Sequence, residues 1–213
     1  MACTYCFYRD RNARHPGAER RRMSEAVLEE LIKQLMGQPQ EEISIGWQGG
    51  EPTLMGLPFF SKAIDLEGRY GKGKVFGNGL QTNGVLLDSA WARFFREYNF
   101  LVGLSLDGPA HIHDHYRRMQ GGQGSWSRVA DKARMLLDAG VSVNALTVVN
   151  DYSAGFPEEI YASHKDLGLA YMQFIPCVET DPKPGARGPV LCIRRGLRRF
   201  FMQGVRSMDG RFC

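Results

Sequence analysis

Ile43-Ser44-Ile45-Gly46-Trp47-Gln48-Gly49-Gly50-Glu51-Pro52 runs from an apolar stretch directly into a glycine-rich, acidic turn. The first five residues read as a β-strand and the last five as the turn that ends it. Ser24 stands upstream as a helix N-cap, and residues 24–37 read as a helix with Val27, Leu28, Leu31, Ile32 and Leu35 on one face. A second helix is expected over 58–69.

The same unit recurs along the chain. A strand is predicted over 75–81, ending in Thr82-Asn83-Gly84, although Gly77, Asn78 and Gly79 make it poor by propensity. Asp88 opens a helix through Tyr98 in which Trp91, Phe94 and Phe95 are apolar. Residues 101–106 read as a strand ending in Asp107-Gly108-Pro109, followed by a polar, Gly-rich loop. Ser125 opens a helix to Ala139 that Gly140 closes, and 141–149 is the clearest strand. A helix over 157–167, ended by Gly168, leads to a strand over 171–175 before Pro176. Strands alternating with helices predict a parallel α/β architecture. In a β/α barrel or half-barrel the loops after the strands gather at one end, where sites form. Polar motifs dispersed in sequence then converge in space.

The 213 residues suffice for one substantial core or for part of a larger domain. The composition, 43% hydrophobic and 23% charged, is that of an ordinary globular chain. No apolar run approaches the roughly 18–20 residues of a membrane helix, and the N-terminus does not read as a signal peptide. These features predict a cytoplasmic protein with no membrane association. The net charge of +4 is mild; its main cluster, Arg9 to Arg22, reads as a solvated basic loop and not as a nucleic-acid surface. Five scattered cysteines without a secretory signal argue against a disulfide framework. Cys3 and Cys6 are the close pair; alone, they fit a zinc half-site or a redox dithiol equally well.

Taken together, C-T-Y-C (3–6), Q-G-G-E-P (48–52), Q-T-N-G (81–84), S-L-D-G-P (105–109) with H-D-H-Y-R (113–117), T-V-V-N (147–150) and Q-F-I-P (173–176) resemble the radical S-adenosylmethionine (SAM) superfamily. More narrowly, they resemble its anaerobic sulfatase-maturating enzymes and SPASM-domain relatives. The resemblance spans residues 1 to about 189. It implies a partial (β/α) radical-SAM barrel of parallel strands, binding a [4Fe–4S] cluster and S-adenosyl-L-methionine. It implies Cys3 and Cys6 as cluster ligands, the middle and last of the family's C-x-x-x-C-x-x-C. Gly49 and Gly50 would receive the methionine amino group, supported by Glu51; Ser105 and Arg117 would contact SAM, and Tyr5 and Met172 would lie near the adenine. A guanidinium suits a carboxylate because its fork donates two parallel hydrogen bonds. For Met172 a packed core methionine is an equal reading. Gln81 and Asn83 serve either a ligand or the strand-end amides. His111, His113 and His115 are expected as loop histidines, and Cys177 as a packed thiol.

The implied activity is oxidation of a Cys or Ser of a sulfatase polypeptide to Cα-formylglycine through a 5′-deoxyadenosyl radical, with ferredoxin or flavodoxin as electron donor. A SPASM-type enzyme that crosslinks or epimerises a peptide is the nearest alternative, and a non-catalytic zinc-binding protein the alternative of another class. The first cluster cysteine falls two positions before Met1, so the expectation is a core, 1–189, that lacks the family's first strand and its C-terminal SPASM domain. The family's catalytic Asp would lie in that absent part. Residues 190–213 do not follow the family; a frameshift near Pro189 is the expected origin, with a basic amphipathic helix as the second reading. On this expectation the 213-residue chain is itself inactive, and the gene sequence on either side of Pro189 checks it.

Overall fold

A computed structural model describes residues 1–6, 8, 22–177 and 200. The basic cluster as far as Arg21, the junction at Pro189, Cys192 and Cys213, and the 190–213 segment apart from Phe200 lie outside the described residues. Ser24, extended, accepts a hydrogen bond from the Val27 amide and opens α1 (Glu25–Met36), which buries Leu28, Ile32 and Met36. Strand β1 (Glu42–Trp47) alternates exposed and buried residues, and a 3-10 turn (Pro52–Met55) follows it. Then come α2 (Leu57–Tyr70), β2 (Val75–Thr82), α3 (Ser89–Glu97), β3 (Leu101–Ser105), α4 (Ala110–Tyr116), α5 (Trp126–Asp138), β4 (Ser142–Val149), α6 (Pro157–Asp166) and β5 (Tyr171–Pro176). The strands form one sheet in the order β1-β2-β3-β4-β5, every pair parallel. The result is the expected α/β half-barrel.

Boundaries differ from the sequence reading by a residue or two, and one element differs in kind. The polar stretch after Pro109 holds a helix, α4, where a loop was expected. Its seven residues are too few for periodicity to show, and it forms because Ile112 and His113 turn inward to full burial.

The two faces of the sheet have opposite chemistry. Ile43, Ile45, Trp47, Leu80, Val102, Leu104, Val143 and Ala145 belong to the main core with buried residues of α1, α2, α3 and α5. Edge-on aromatic contacts run through it, from Trp47 to Phe60 (5.5 Å between centroids) and from Phe60 to Trp91 (5.6 Å). On the concave face, Gly46 lies beside Gly79, and Gln81, Gly103 and Asn144 lie side by side. With Gln48 and Gln173 these residues line a cavity of about 170 Å³.

Strand β2 forms against its own propensity because it is an interior strand, held by β1 and β3. Asn78, its worst residue, is buried and earns its place by hydrogen bonding: its Oδ1 accepts from Trp47 Nε1 (2.7 Å) and its Nδ2 donates to Glu67 Oε2 (2.9 Å). Glu67 on α2 is fully buried, and its Oε1 has no partner. Burial pushes its carboxyl pKa up, against a smaller opposing pull from Asn78. A proton held more tightly in the folded state stabilises the fold fully below the unfolded carboxyl pKa and loses that contribution as pH rises through the folded one. Glu67→Gln is therefore expected to flatten this decline and to be at least as stable as wild type at pH 8 in urea melts. A variant more than about 1 kcal/mol less stable at that pH would show that the carboxylate itself is required.

Candidate functional site

Cys3 and Cys6 share one tight turn, closed by the Cys6 amide donating to the Cys3 carbonyl (3.3 Å). Cys3 is buried and Cys6 half-buried. The segment is laid against the end of α4 by two main-chain hydrogen bonds, Ala2 N–H to the Arg118 carbonyl (2.8 Å) and Thr4 N–H to the Tyr116 carbonyl (3.1 Å). The N-terminus is thereby fixed beside the carboxyl ends of the strands.

Between the two thiols, Tyr5 turns inward to a buried charged pair. Arg117 Nη1 donates to the Tyr5 hydroxyl (2.7 Å), which in turn donates to Asp107 Oδ2 (2.5 Å). The guanidinium carbon also lies 5.9 Å from the Tyr5 ring centroid. Asp107 accepts a further hydrogen bond from the Val148 amide (2.9 Å). Burial pushes the Tyr5 phenol well above its ordinary pKa, so it stays neutral and keeps its proton to donate. Burial also pushes the Asp107 carboxyl up, opposed by Arg117, the Tyr5 hydroxyl and the Val148 amide. For Arg117 burial works against the charge, but Tyr5, Asp107 and Cys3 outweigh it and the guanidinium is held more firmly protonated than usual. Arg117 Nε, buried, has no hydrogen-bond partner among the described residues.

A histidine fixes the main chain on both sides of this pair. The fully buried His113 accepts from the Asp107 amide at Nδ1 (3.2 Å) and lies 3.0 Å from Ser125 Oγ at Nε2. The Ser125 hydroxyl donates to the Arg117 carbonyl (2.7 Å), so it can only accept from His113. The ring therefore carries its proton on Nε2. Burial above all, with Arg117 and His164 adding to it, lowers the His113 pKa well below its ordinary value and keeps the ring neutral. Asp114 completes the arrangement by accepting from the amides of Ser125 (2.7 Å) and Trp126 (2.9 Å), the residues that start α5.

The turn after β1 supplies the opposite wall. Gly49 (φ 125°) and Gly50 (φ 54°) take backbone conformations that favour glycine, and a Cβ on Gly50 would project into open space. Main-chain groups here are accessible to a ligand. Glu51 serves as a brace: its carboxylate accepts from Thr53 N–H (3.2 Å), Thr53 Oγ1 (2.6 Å), Thr82 Oγ1 (2.7 Å) and Asn83 N–H (2.8 Å). It ties the end of β1 to the end of β2.

The structure thus brings together Cys3, Tyr5, Cys6 and Arg117 as one group, and sets Gly49, Gly50 and Glu51 on the β1 turn. Ser105, half-buried, ends β3 in register with Leu146, a residue of the concave cavity. Met172 lies apart from these: it pairs with the fully buried Ala145 and packs on the main core, whereas its neighbour Gln173 lines the concave cavity. Gln81 lines the same cavity, while Asn83 accepts from the Val85 amide (2.9 Å) in its own turn. The three nearby histidines go to three environments. His113 is in the core, His111 pairs with Glu159 (3.5 Å), and His115 stacks on Tyr152 (4.0 Å). All three sit on α4, not on a loop. Cys177 is buried, as expected. Asp107, Thr82 and Ser125 are not singled out as site residues by the sequence, where Ser125 reads only as the start of a helix. The first two stood inside motifs already singled out, but read as turn formers.

The fit to an iron–sulfur cluster with SAM rests on these features. Two thiols in one turn supply soft ligands, although burial pushes the Cys3 thiol up, against the pull of Arg117, so a metal has to displace its proton. Among the described residues no set of three or more His, Cys, Asp or Glu side chains converges on a metal position. The unpaired Arg117 Nε suits a carboxylate, and the bare Gly49-Gly50 turn suits a close polar ligand.

Because both oxygens of Glu51 accept hydrogen bonds, an amide there would oppose a donor to a donor. Glu51→Gln is expected to lose about 1–3 kcal/mol in denaturant melts and to loosen the β1 and β2 turns. Unchanged stability would show that the four hydrogen bonds are dispensable.

Comparison with known proteins accords with this geometry. The family model of the radical SAM superfamily matches residues 1–166. The chain is 38% identical over 180 residues to a serine-type anaerobic sulfatase-maturating enzyme of Bacteroides thetaiotaomicron, covering 84% of this chain and 44% of that protein. It is likewise 38% identical over 184 residues to a cysteine-type anaerobic sulfatase-maturating enzyme of Clostridium perfringens, covering 84% and 49%. The chain thus spans about half the length of the curated relatives it matches. A solved structure described as native anSMEcpe with bound AdoMet and Kp18Cys peptide superposes with a TM-score of 0.89 at 33% identity, covering 97% of this chain and 56% of that one. Streptococcus suis SuiB bound to S-adenosylmethionine shares the fold, with a TM-score of 0.64 at 14% identity. With its parallel half-barrel, its cysteine turn and a family match over most of its length, the chain belongs to the radical SAM superfamily.

Proposed function

We propose that this chain is the SAM-binding core of an anaerobic sulfatase-maturating enzyme, which oxidises a Cys or Ser of a sulfatase polypeptide to Cα-formylglycine. The observation that carries the reading is the likeness, at 38% identity, to maturases of both the serine and the cysteine type. The orphaned guanidinium edge of Arg117 beside the cysteine turn supports it on chemical grounds.

When bound, the [4Fe–4S] cluster and SAM together supply a reducing electron and the 5′-deoxyadenosyl radical that takes a hydrogen atom from the substrate β-carbon. This chain's residues bind and aim. Cys3 and Cys6 are cluster ligands, and Arg117 receives the SAM carboxylate at its unpaired Nε. Gly49 and Gly50 offer main-chain groups to the amino group, at a turn that Glu51 braces. Ser105, at the end of β3 in register with Leu146, would contact SAM from there. Tyr5 holds Arg117 by its hydroxyl, so only its ring, edge-on to Tyr116 (6.0 Å), would be offered to the adenine. Met172, packed on the core side of β5, is not grouped with these residues. The sulfatase peptide is the substrate and a small redox protein, a ferredoxin or flavodoxin, the electron donor. No helix among the described residues is long and apolar enough to cross a membrane, as a cytoplasmic site of action requires.

The test is anaerobic reconstitution of the full chain with iron and sulfide, followed by electron paramagnetic resonance after reduction. With two cysteines in the turn, the expected result is a weakly held cluster whose signal SAM perturbs and Cys3→Ala or Cys6→Ala abolishes. Since this 213-residue chain is expected to be inactive, a sulfatase-derived peptide is expected to stay unmodified. Formylglycine detected by mass spectrometry would overturn that expectation, and a crosslinked or epimerised product would overturn the maturase reading. Stoichiometric zinc without iron would overturn the reading.

A further inference from the structure

The Tyr5 hydroxyl has two partners, and neither is a ligand. It bridges a buried guanidinium and a buried carboxylate, accepting from Arg117 and donating to Asp107. Asp107 is 1% and Arg117 6% exposed, so neither charge is shielded by solvent. One end of Asp107 is pinned twice: its Oδ1 to the Val148 amide of β4 and its own amide to His113. The Arg117 carbonyl is pinned to Ser125, which His113 also holds. The bridge therefore fixes a guanidinium at both its main chain and its Nη1, and leaves Nε without a partner. A buried donor left unpaired costs free energy that only an incoming acceptor recovers.

We propose that Asp107 is a positioning residue for SAM, acting through the Tyr5 hydroxyl to hold the Arg117 guanidinium with its free edge toward the methionine carboxylate. The inference rests on the SAM-binding function proposed above. Because Tyr5 sits between Cys3 and Cys6, the same bridge sets the carboxylate-binding edge in register with the cysteine turn. Asp107 itself touches no ligand. It gives the phenol an acceptor, so that the phenol oxygen faces Arg117.

This role differs from a merely structural one in a measurable way. Loss of structure weakens every SAM-like ligand alike, whereas misaiming of Arg117 weakens only those that carry the carboxylate. The experiment is equilibrium binding by calorimetry to the anaerobically reconstituted full chain, using SAM and its decarboxylated analogue. Wild type is expected to prefer SAM. Asp107→Asn and Tyr5→Phe are each expected to shrink that preference about tenfold, the loss of one hydrogen bond to a charged group. Tyr5→Phe retains the ring and removes one oxygen, so it reports even if Asp107→Asn does not fold. An unchanged preference in Tyr5→Phe, with both ligands weakened equally or not at all, would overturn the positioning role while leaving SAM binding intact. A wild-type chain that binds neither compound would overturn both readings.

Discussion

A buried guanidinium is the constraint around which this site is built. Removing an arginine charge from water is costly unless it is met by acceptors and opposite charge. Arg117 meets that demand through the Tyr5 hydroxyl and, beyond it, Asp107. The consequence is that three segments far apart in the chain are locked together: the cysteine turn, the end of β3 and the end of α4. His113 secures two of them from beneath by a fixed tautomer, with its Nδ1 on the Asp107 amide and its Nε2 toward Ser125.

The sheet makes this economical. All five strands run the same way, so every strand ends on the side where the next helix begins. The turns after β1, β2 and β3 meet there, and Glu51 links two of them through one carboxylate. Helices cover one face with an aliphatic and aromatic core. The other face carries glycines and carboxamides, a composition that leaves space for a guest and not for packing. Asn144 Oδ1, buried and unpaired on that face, has the same character as Arg117 Nε: a polar atom held in place without a partner.

The polar network also explains why particular motif residues resist a single label. Glu51 stands in the glycine turn after β1, but its own carboxylate is committed to Thr53, Thr82 and Asn83. Tyr5 was expected beside an adenine; its hydroxyl is committed to the charged pair, which leaves only its ring for that contact. Met172, by contrast, is turned by the strand alternation onto the core side with Ala145.

The sequence by itself determined the parallel α/β architecture, since apolar runs of strand length alternate with amphipathic helices capped by Ser24 and Asp88 and closed by Gly140. It also determined which strand ends carry polar motifs, and the family those motifs resemble. Only the tertiary structure decided which groups those motif residues bond to. That Asn78 is satisfied by Trp47 and Glu67, that α4 is a helix, and that Asp107 serves Tyr5 all depend on partners 11 to 102 residues away. Hydrogen bonds between such partners leave no local periodicity, because their geometry exists only once the strands are side by side.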